Sequence, residues 1–321
     1  MREASFVTKN KKKWLLFEEV LAKKQKVSPD KLADLYIELT DDLSYAKTFY
    51  PNSNTLNYLN QLSSKAHQKL YYTKKESKNR IINFYKYEFP KMFIKHHKQL
   101  LIAFSTFVFF VLVGMYSVAN DGDFVRVILG DGYVNMTLDN IEKGDPMAVY
   151  KKGSESAMFL VITLNNIRVA LMAFVYGMLF SIGTLYILMQ NGIMLGSFLY
   201  FFIDKNLFWE SSKTIWIHGT IEIWVIIIAG CAGLVLGNGL LFPKTYSRLE
   251  SFKQSFKTGL KIMVSTIPFF IVAGFLEGFV TRYTNMPNWL SILIIITSLI
   301  SVLYYYIYYP IKLNRKTKYV N

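Results

Sequence analysis

Two ionisable side chains, His218 and Glu222, lie inside a long apolar stretch of this sequence that covers residues 216–242. They are four residues apart, so an α-helix places both on one face. An imidazole and a carboxylate on one face can exchange a proton, bind a cation or provide two ligands to a metal ion. Because an ionisable group is costly at membrane depth unless it is paired or hydrated, we expect this face to meet a protein interior or a water-filled cavity.

Several further apolar runs of the length needed to cross a bilayer determine the class of protein. The chain has 321 residues, of which 52% are hydrophobic and 16% aromatic. We predict an all-α, polytopic membrane helix bundle of about six spans, with a short third span after a helix break at Asn191-Gly192. The expected spans are 100–118, 167–189, 192–203, 216–242, 262–280 and 289–309.

The first 97 residues differ from the rest and are predicted to form a cytoplasmic or membrane-surface module of amphipathic helices. Ser28-Pro29 is typical of a helix start, because serine caps the helix and proline fits its first turn. Residues 98–321 form the predicted transmembrane domain. The single cysteine, Cys231, excludes a disulfide framework, and we find no signal peptide.

The distribution of charge predicts which ends of the spans lie inside the cell. Residues 119–157 form a net acidic loop, whereas the segment before the first span, residues 244–261 and the tail are basic. Basic loops remain in the cytoplasm, so we expect both termini there and loop 119–157 on the outer side of the membrane. The net charge of +15 fits such loops, and we predict no nucleic-acid partner.

This topology predicts one intramembrane polar cluster in the outer half of the bilayer. Arg168 and Arg282 could instead extend to the interface, and the two asparagines could cap a helix. Glu222 and Glu277 are harder to explain as structural residues. The predicted members are His218, Glu222, Glu277, Arg282, Asn165, Asn166 and Arg168.

Small and helix-breaking residues in the spans predict close backbone packing or a broken helix rather than a permeation path. They are Asn191, Gly192, Gly196, Gly230 and Gly233.

A metal site is a weaker prediction, with His218, Glu222 and Glu277 as its candidate ligands. A zinc hydrolase would normally add a second histidine, and the other three histidines are in segments expected on the cytoplasmic side. The sequence has no nucleophile elbow and no phosphate-binding glycine loop. We therefore assign no catalytic residue, expect no cofactor and favour a non-enzymatic function.

Five sequence motifs resemble the stage II sporulation protein M family of integral membrane proteins. They are LNNIRVALMAFVYGMLFSIGT, QNGIMLGSF, HGTIE, IAGCAGLVLGNGLLFP and AGFLEGF, within residues 100–310. The N-terminal helices and basic tail resemble a member from non-sporulating bacteria, so the resemblance does not imply a sporulation role. It implies a membrane protein that anchors an assembly acting on the cell wall.

Three functions remain open from the sequence. The first is a scaffold or regulator of an envelope-remodelling assembly, a homo-oligomer or a partner of other membrane or envelope proteins, in contact with membrane lipids. The second is a transporter or channel whose outer-half site binds a cation, a proton or a lipid headgroup. The third is an intramembrane metal-dependent hydrolase.

Overall fold

The computed structural model describes residues 1–22, 27–70, 79–151, 154–284 and 286–318. The chain divides into two compact units, Met1–Arg80 and Ile81–Asn321. The predicted boundary at residue 97 is therefore wrong. Phe89 and Phe93, which lie before it, are fully buried in the hydrophobic core of the second unit, where Phe93 packs at 5.6 Å against Tyr306.

The first unit contains three helices, α1 (Glu3–Leu21), α2 (Pro29–Phe49) and α3 (Asn54–Leu70). The Ser28 side chain accepts a hydrogen bond from the Lys31 backbone N–H at 3.2 Å, as the serine–proline pair predicts. Apolar residues from all three helices meet in one core, which includes Trp14, Leu39 and Leu62. The unit therefore has a hydrophobic core of its own.

The described residues of the second unit form helices joined by turns and short connections, with no strand among them. Six of its helices are long and apolar enough to cross a membrane. Two short helices, α5 (Phe124–Leu129) and α6 (Asp131–Glu142), lie between the first and second of them. The six long helices are α4 (Arg80–Asn120), α7 (Glu155–Met178), α8 (Ile182–Asp204), α9 (Phe208–Leu241), α10 (Arg248–Val280) and α11 (Asn288–Arg315).

Helix α9 is the central element of the second unit. In its most apolar window 83% of the residues are buried, against 22% to 44% in the other long helices. Helices α4, α7, α8, α10 and α11 all contact it. This explains why the stretch that carries His218 and Glu222 is apolar on all sides, since it faces protein all round.

The predicted break at Asn191-Gly192 is wrong, and the predicted spans 167–189 and 192–203 shift accordingly. Helix α8 runs without interruption from Ile182 to Asp204, and the Asn191 side chain donates a hydrogen bond to the Ile187 carbonyl oxygen of the same helix at 2.8 Å. The tight return lies eleven residues earlier, where Phe180 and Ser181 have φ values of 52° and 69°. The third long helix is therefore not short.

The two ends of this bundle differ in the connections that they carry. The loop end carries residues 121–154, and the turn end carries the return at residues 179–181. Much of the predicted loop 119–157 is folded into α5 and α6, while Gly130 and Gly144 adopt positive φ values of 85° and 73° at turns. Residues 152 and 153 of this loop lie outside the described residues.

Candidate functional site

Three predicted site residues meet at the loop end of α9. His218 and Glu222 lie one turn apart on this helix, and Glu277 lies in the π-helical turn Leu276–Val280 that ends α10. The His218 Nε2 atom is 3.8 Å from Glu277 Oε1. One ligand atom from each of the three residues lies within 4.8 Å of the other two. The structure thus brings together His218 and Glu277, which are 59 residues apart in the sequence.

The orientation of His218 is fixed from the side away from the carboxylates. Its Nδ1 atom lies 3.0 Å from Thr281 Oγ1, and that hydroxyl donates to the Leu276 carbonyl oxygen at 3.1 Å. A hydroxyl that donates its only proton elsewhere can only accept from the imidazole. The hydrogen-bond network therefore assigns the proton to Nδ1 and leaves the Nε2 lone pair facing Glu277.

Glu222 is held by an amide from a neighbouring helix. The Asn166 side chain on α7 donates a hydrogen bond to Glu222 Oε1 at 2.5 Å. This contact satisfies one carboxylate oxygen and fixes the rotamer of the side chain. Asn166 is thus a member of the cluster, and its hydrogen bond links α7 to α9.

A cavity of about 500 Å³ adjoins this cluster. Apolar side chains of α4, α5, α7, α8 and α9 form most of its wall, and Asn165 and Met194, which line it, are exposed at the surface of the bundle. It therefore opens between α7 and α8. Its lining comprises Phe107, Ile128, Leu129, Tyr133, Tyr150, Asn165, Asn166, Val169, Asn191, Met194, Leu195, Phe198, Ile215, His218, Gly219, Glu222, Ile223 and Ile226.

The segment at the loop end covers the cavity with aromatic side chains. The Tyr150 ring packs 5.6 Å from the His218 ring, and Tyr133 of α6 lines the same space. Burial, followed by the negative charge of Glu277, raises the pKa of the Tyr150 hydroxyl well above its usual range. Tyr150 is therefore a neutral hydrogen-bonding group at physiological pH.

The remaining polar candidates lie at the edge of the cluster or outside it. Arg282 contacts the Glu155 carboxylate at 3.6 Å and donates to the Lys151 carbonyl oxygen at 3.1 Å. Asn165 lines the cavity but is exposed, and Arg168 is exposed on α7 and does not line the cavity. The predicted set of seven thus separates into a cluster of four and three peripheral residues.

The predicted close-packing residues form contacts between helices. A methyl group at Gly233 would meet the Ala173 carbonyl oxygen and the Thr184 hydroxyl, and one at Gly230 would meet the Leu188 side chain. On α8, Gly192 and Gly196 lie against the backbone of α4 at Phe107 and Val111. These residues allow helix backbones to approach closely.

Sequence reasoning missed two residues that shape the site. Thr281 orients His218, and its place four residues after Glu277 was an available signal, since that spacing shares a helix face. Tyr150 covers His218 from a polar loop whose sequence carries no comparable signal.

The fold and the buried polar cluster define the class, a multi-pass helical membrane protein. The family model for stage II sporulation protein M matches residues 103–282. The chain belongs to this family, as its motifs predicted.

Other comparisons cover smaller parts of the chain. Residues 4–72 match a family described as a domain of unknown function, DUF8413. The chain is 28% identical over 127 residues to an uncharacterized protein, MJ0706, of Methanocaldococcus jannaschii, which is 39% of this chain and 56% of that relative. The chain thus spans about half the length of this curated relative. No solved structure matches it.

Proposed function

We propose that the second unit binds a ligand with a polar headgroup and an apolar body in the cavity at the loop end of α9. The cavity itself carries the proposal, since its wall is largely apolar and its polar groups converge on His218 and Glu222. Small-molecule sites typically combine such a wall with a few well-placed polar groups. An opening between two spans suits a ligand that enters from the lipid, and a membrane lipid has this chemistry.

Binding is better supported than conduction through the bundle. Neighbouring residues occupy the space beside the α9 glycines that could line a path. Gly233 lies against Ala173 and Thr184, and Gly237 lies against Ser181. The helix break predicted at Asn191-Gly192, which would favour a transporter, is absent, because α8 is continuous there. A cavity at one end with close packing at the other supports a binding site.

A pair of tryptophan variants on α7 tests the proposal. Val169 lines the cavity, whereas Leu171, two residues on, is 45% exposed and does not line it. Val169→Trp should remove the lipids that copurify with the protein, counted by native mass spectrometry, and Leu171→Trp should leave them unchanged. Equal lipid retention by both variants would contradict the proposal.

We also propose that both termini and the turn end face the cytoplasm and that the loop end faces outwards. The basic segments around the predicted spans support this orientation. Cys231 is buried, so a cysteine introduced on the surface would be the accessible one. In intact cells an impermeant maleimide should label Glu142→Cys and should leave Ser247→Cys unlabelled; the reverse pattern would invert the topology.

A second candidate function is a scaffold or regulator of an envelope-remodelling assembly in the bacterial inner membrane. The separate core of residues 1–80 favours it, because an independent unit can bind a partner. Crosslinking in native membranes should capture envelope proteins or further copies of the chain, and deletion of residues 1–80 should abolish capture. Recovery of uncrosslinked monomer alone would argue against the scaffold.

A further inference from the structure

We propose that His218 Nε2 and one carboxylate oxygen each from Glu222 and Glu277 bind a divalent transition-metal ion of the Zn²⁺ class. This inference rests on the proposed function, because it names what the polar base of the cavity binds.

The three ligand atoms are close to the separation that one ion requires. Zinc lies about 2.1 Å from nitrogen and oxygen ligands, so tetrahedral ligand atoms are about 3.4 Å apart. The His218 Nε2 to Glu277 Oε1 distance is 3.8 Å, and one ligand atom from each of the three residues lies within 4.8 Å of the other two. Side-chain rotations that move the ligand atoms by about 1 Å would bring them to this separation without movement of a helix.

The histidine already has the tautomer that a metal ligand needs. Metal-binding histidines usually donate the other ring N–H to an oxygen, which fixes the ring and leaves the ligating nitrogen unprotonated. Thr281 Oγ1 lies 3.0 Å from Nδ1 and uses its own proton on the Leu276 carbonyl oxygen. The same arrangement leaves Nε2 directed towards Glu277.

Glu222 is oriented in a comparable way. Asn166 donates to Glu222 Oε1 at 2.5 Å, which fixes the carboxylate beside Glu277. The two proposed ligands on α9, His218 and Glu222, therefore each have a polar partner that does not depend on the proposed ion. Two such partners, Thr281 and Asn166, come from different helices.

The charge of the cluster favours a bound dication over a purely structural role for these side chains in holding the helices together. Two carboxylates and a neutral imidazole carry two negative charges when both carboxylates are ionised. A dication would neutralise the cluster, and neutral groups are tolerated at membrane depth where isolated charges are not.

The ligand set selects the class of metal. Calcium and magnesium take oxygen ligands, whereas imidazole is a common ligand of zinc and neighbouring transition metals. Three protein ligands leave at least one position for water or a ligand oxygen. Gly219 lies beside His218 and has no side chain to fill the adjoining cavity. Because His218 and Glu222 both line the cavity, a ligand in the cavity can reach that position, where an anionic headgroup could bind.

Metal titration of the full chain in lipid nanodiscs tests the inference. After treatment with a chelator, the protein should bind one Zn²⁺ per chain, and Co²⁺ in its place should give the visible absorption of a site with nitrogen and oxygen ligands. Millimolar Mg²⁺ or Ca²⁺ should not displace it. His218→Ala and Glu277→Gln should weaken binding at least 100-fold, and Thr281→Val should weaken it about 10-fold to 100-fold.

Matched controls separate this site from adventitious binding. His67→Ala and Glu250→Gln change the same residue types in the first unit and near the start of α10, and both should leave the titration unchanged. The inference is overturned if chelator-treated wild-type protein binds no Zn²⁺, or if the triple variant His218→Ala, Glu222→Gln, Glu277→Gln binds it equally. Wild-type protein that retains lipids but binds no metal would refute the metal site and leave the proposed function standing.

Discussion

The same three helices are packed in opposite ways at the two ends of the bundle. At the turn end α7 and α8 lie directly on α9, where Gly177 meets the backbone of Gly233 and Gly237 meets Ser181. At the loop end α7 and α8 separate, and a cavity of about 500 Å³ lies between them against α9. The polar cluster lies in this gap.

The two ends of α9 therefore have different roles, close packing at the turn end and a polar site at the loop end. The glycine contacts at the turn end fix the helix positions, because the backbones approach as closely as their atoms allow. The loop end can then leave space beside ionisable groups without loss of the bundle.

The largest expected effect comes from a methyl group added at each end of α9. Gly233→Ala would force the side chain against the Ala173 carbonyl oxygen and Thr184, and we expect about 3 kcal/mol of destabilisation. Gly219→Ala would meet only Ile215 Cγ2, at 3.6 Å in its own helix, and should stabilise by up to about 1 kcal/mol. Thermal unfolding in detergent measures both, and equal losses would contradict the division.

Removal of the proposed metal should affect stability less than the Gly233 substitution. A ligand present at 100 times its Kd stabilises the folded state by about 2.7 kcal/mol. Chelator should therefore lower the Tm of wild-type protein and leave that of His218→Ala unchanged. A Tm that does not respond to chelator in wild-type protein would show that no ion contributes to stability.

Neighbouring asparagines on α7 provide the next comparison. Asn166→Ala removes the hydrogen bond to Glu222 and should destabilise by about 1 to 2 kcal/mol, whereas Asn165→Ala changes an exposed side chain and should have little effect. Unfolding by chemical denaturant measures the two variants side by side. Similar values for both would mean that the Glu222 contact contributes nothing.

The peripheral arginines should give the smallest effects. Arg282 and Glu155 form a partly exposed pair at 3.6 Å, so Arg282→Ala should cost less than about 1 kcal/mol. Arg168 is exposed, and Arg168→Ala should change stability by less than about 0.5 kcal/mol. A larger loss in thermal unfolding of Arg168→Ala would indicate an interaction outside the single chain.

The sequence predicted the membrane class and the meeting of His218, Glu222, Glu277 and Asn166, because buried ionisable groups must be satisfied. It misplaced the return between α7 and α8. Asn-Gly is a strong turn signal in water, but here the Asn191 amide bonds within its own helix and Gly192 serves packing against α4. The true return uses Phe180 and Ser181 at positive φ, which neither residue type predicts.

The cavity could not be predicted from the sequence for a different reason. Its cover comes from residues such as Tyr133 and Tyr150, whose positions depend on how α5 and α6 fold across the loop end. Among the glycines of this segment, Gly130 and Gly144 adopt positive φ values, whereas Gly122 and Gly132 do not. Local signals thus locate turns without determining which side chains cover a site.

The stability of Glu222→Gln, measured in chelator, tests most directly whether the cluster binds a ligand or only holds the helices together. Glutamine keeps an oxygen that accepts from Asn166 and removes one negative charge beside Glu277. A binding site predicts an equal or higher Tm in chelator, because repulsion between the two carboxylates is relieved, and loss of Zn²⁺ binding in a separate titration without chelator. A Tm lowered by the equivalent of about 3 kcal/mol, with metal binding retained, would contradict this account and identify the carboxylate as structural.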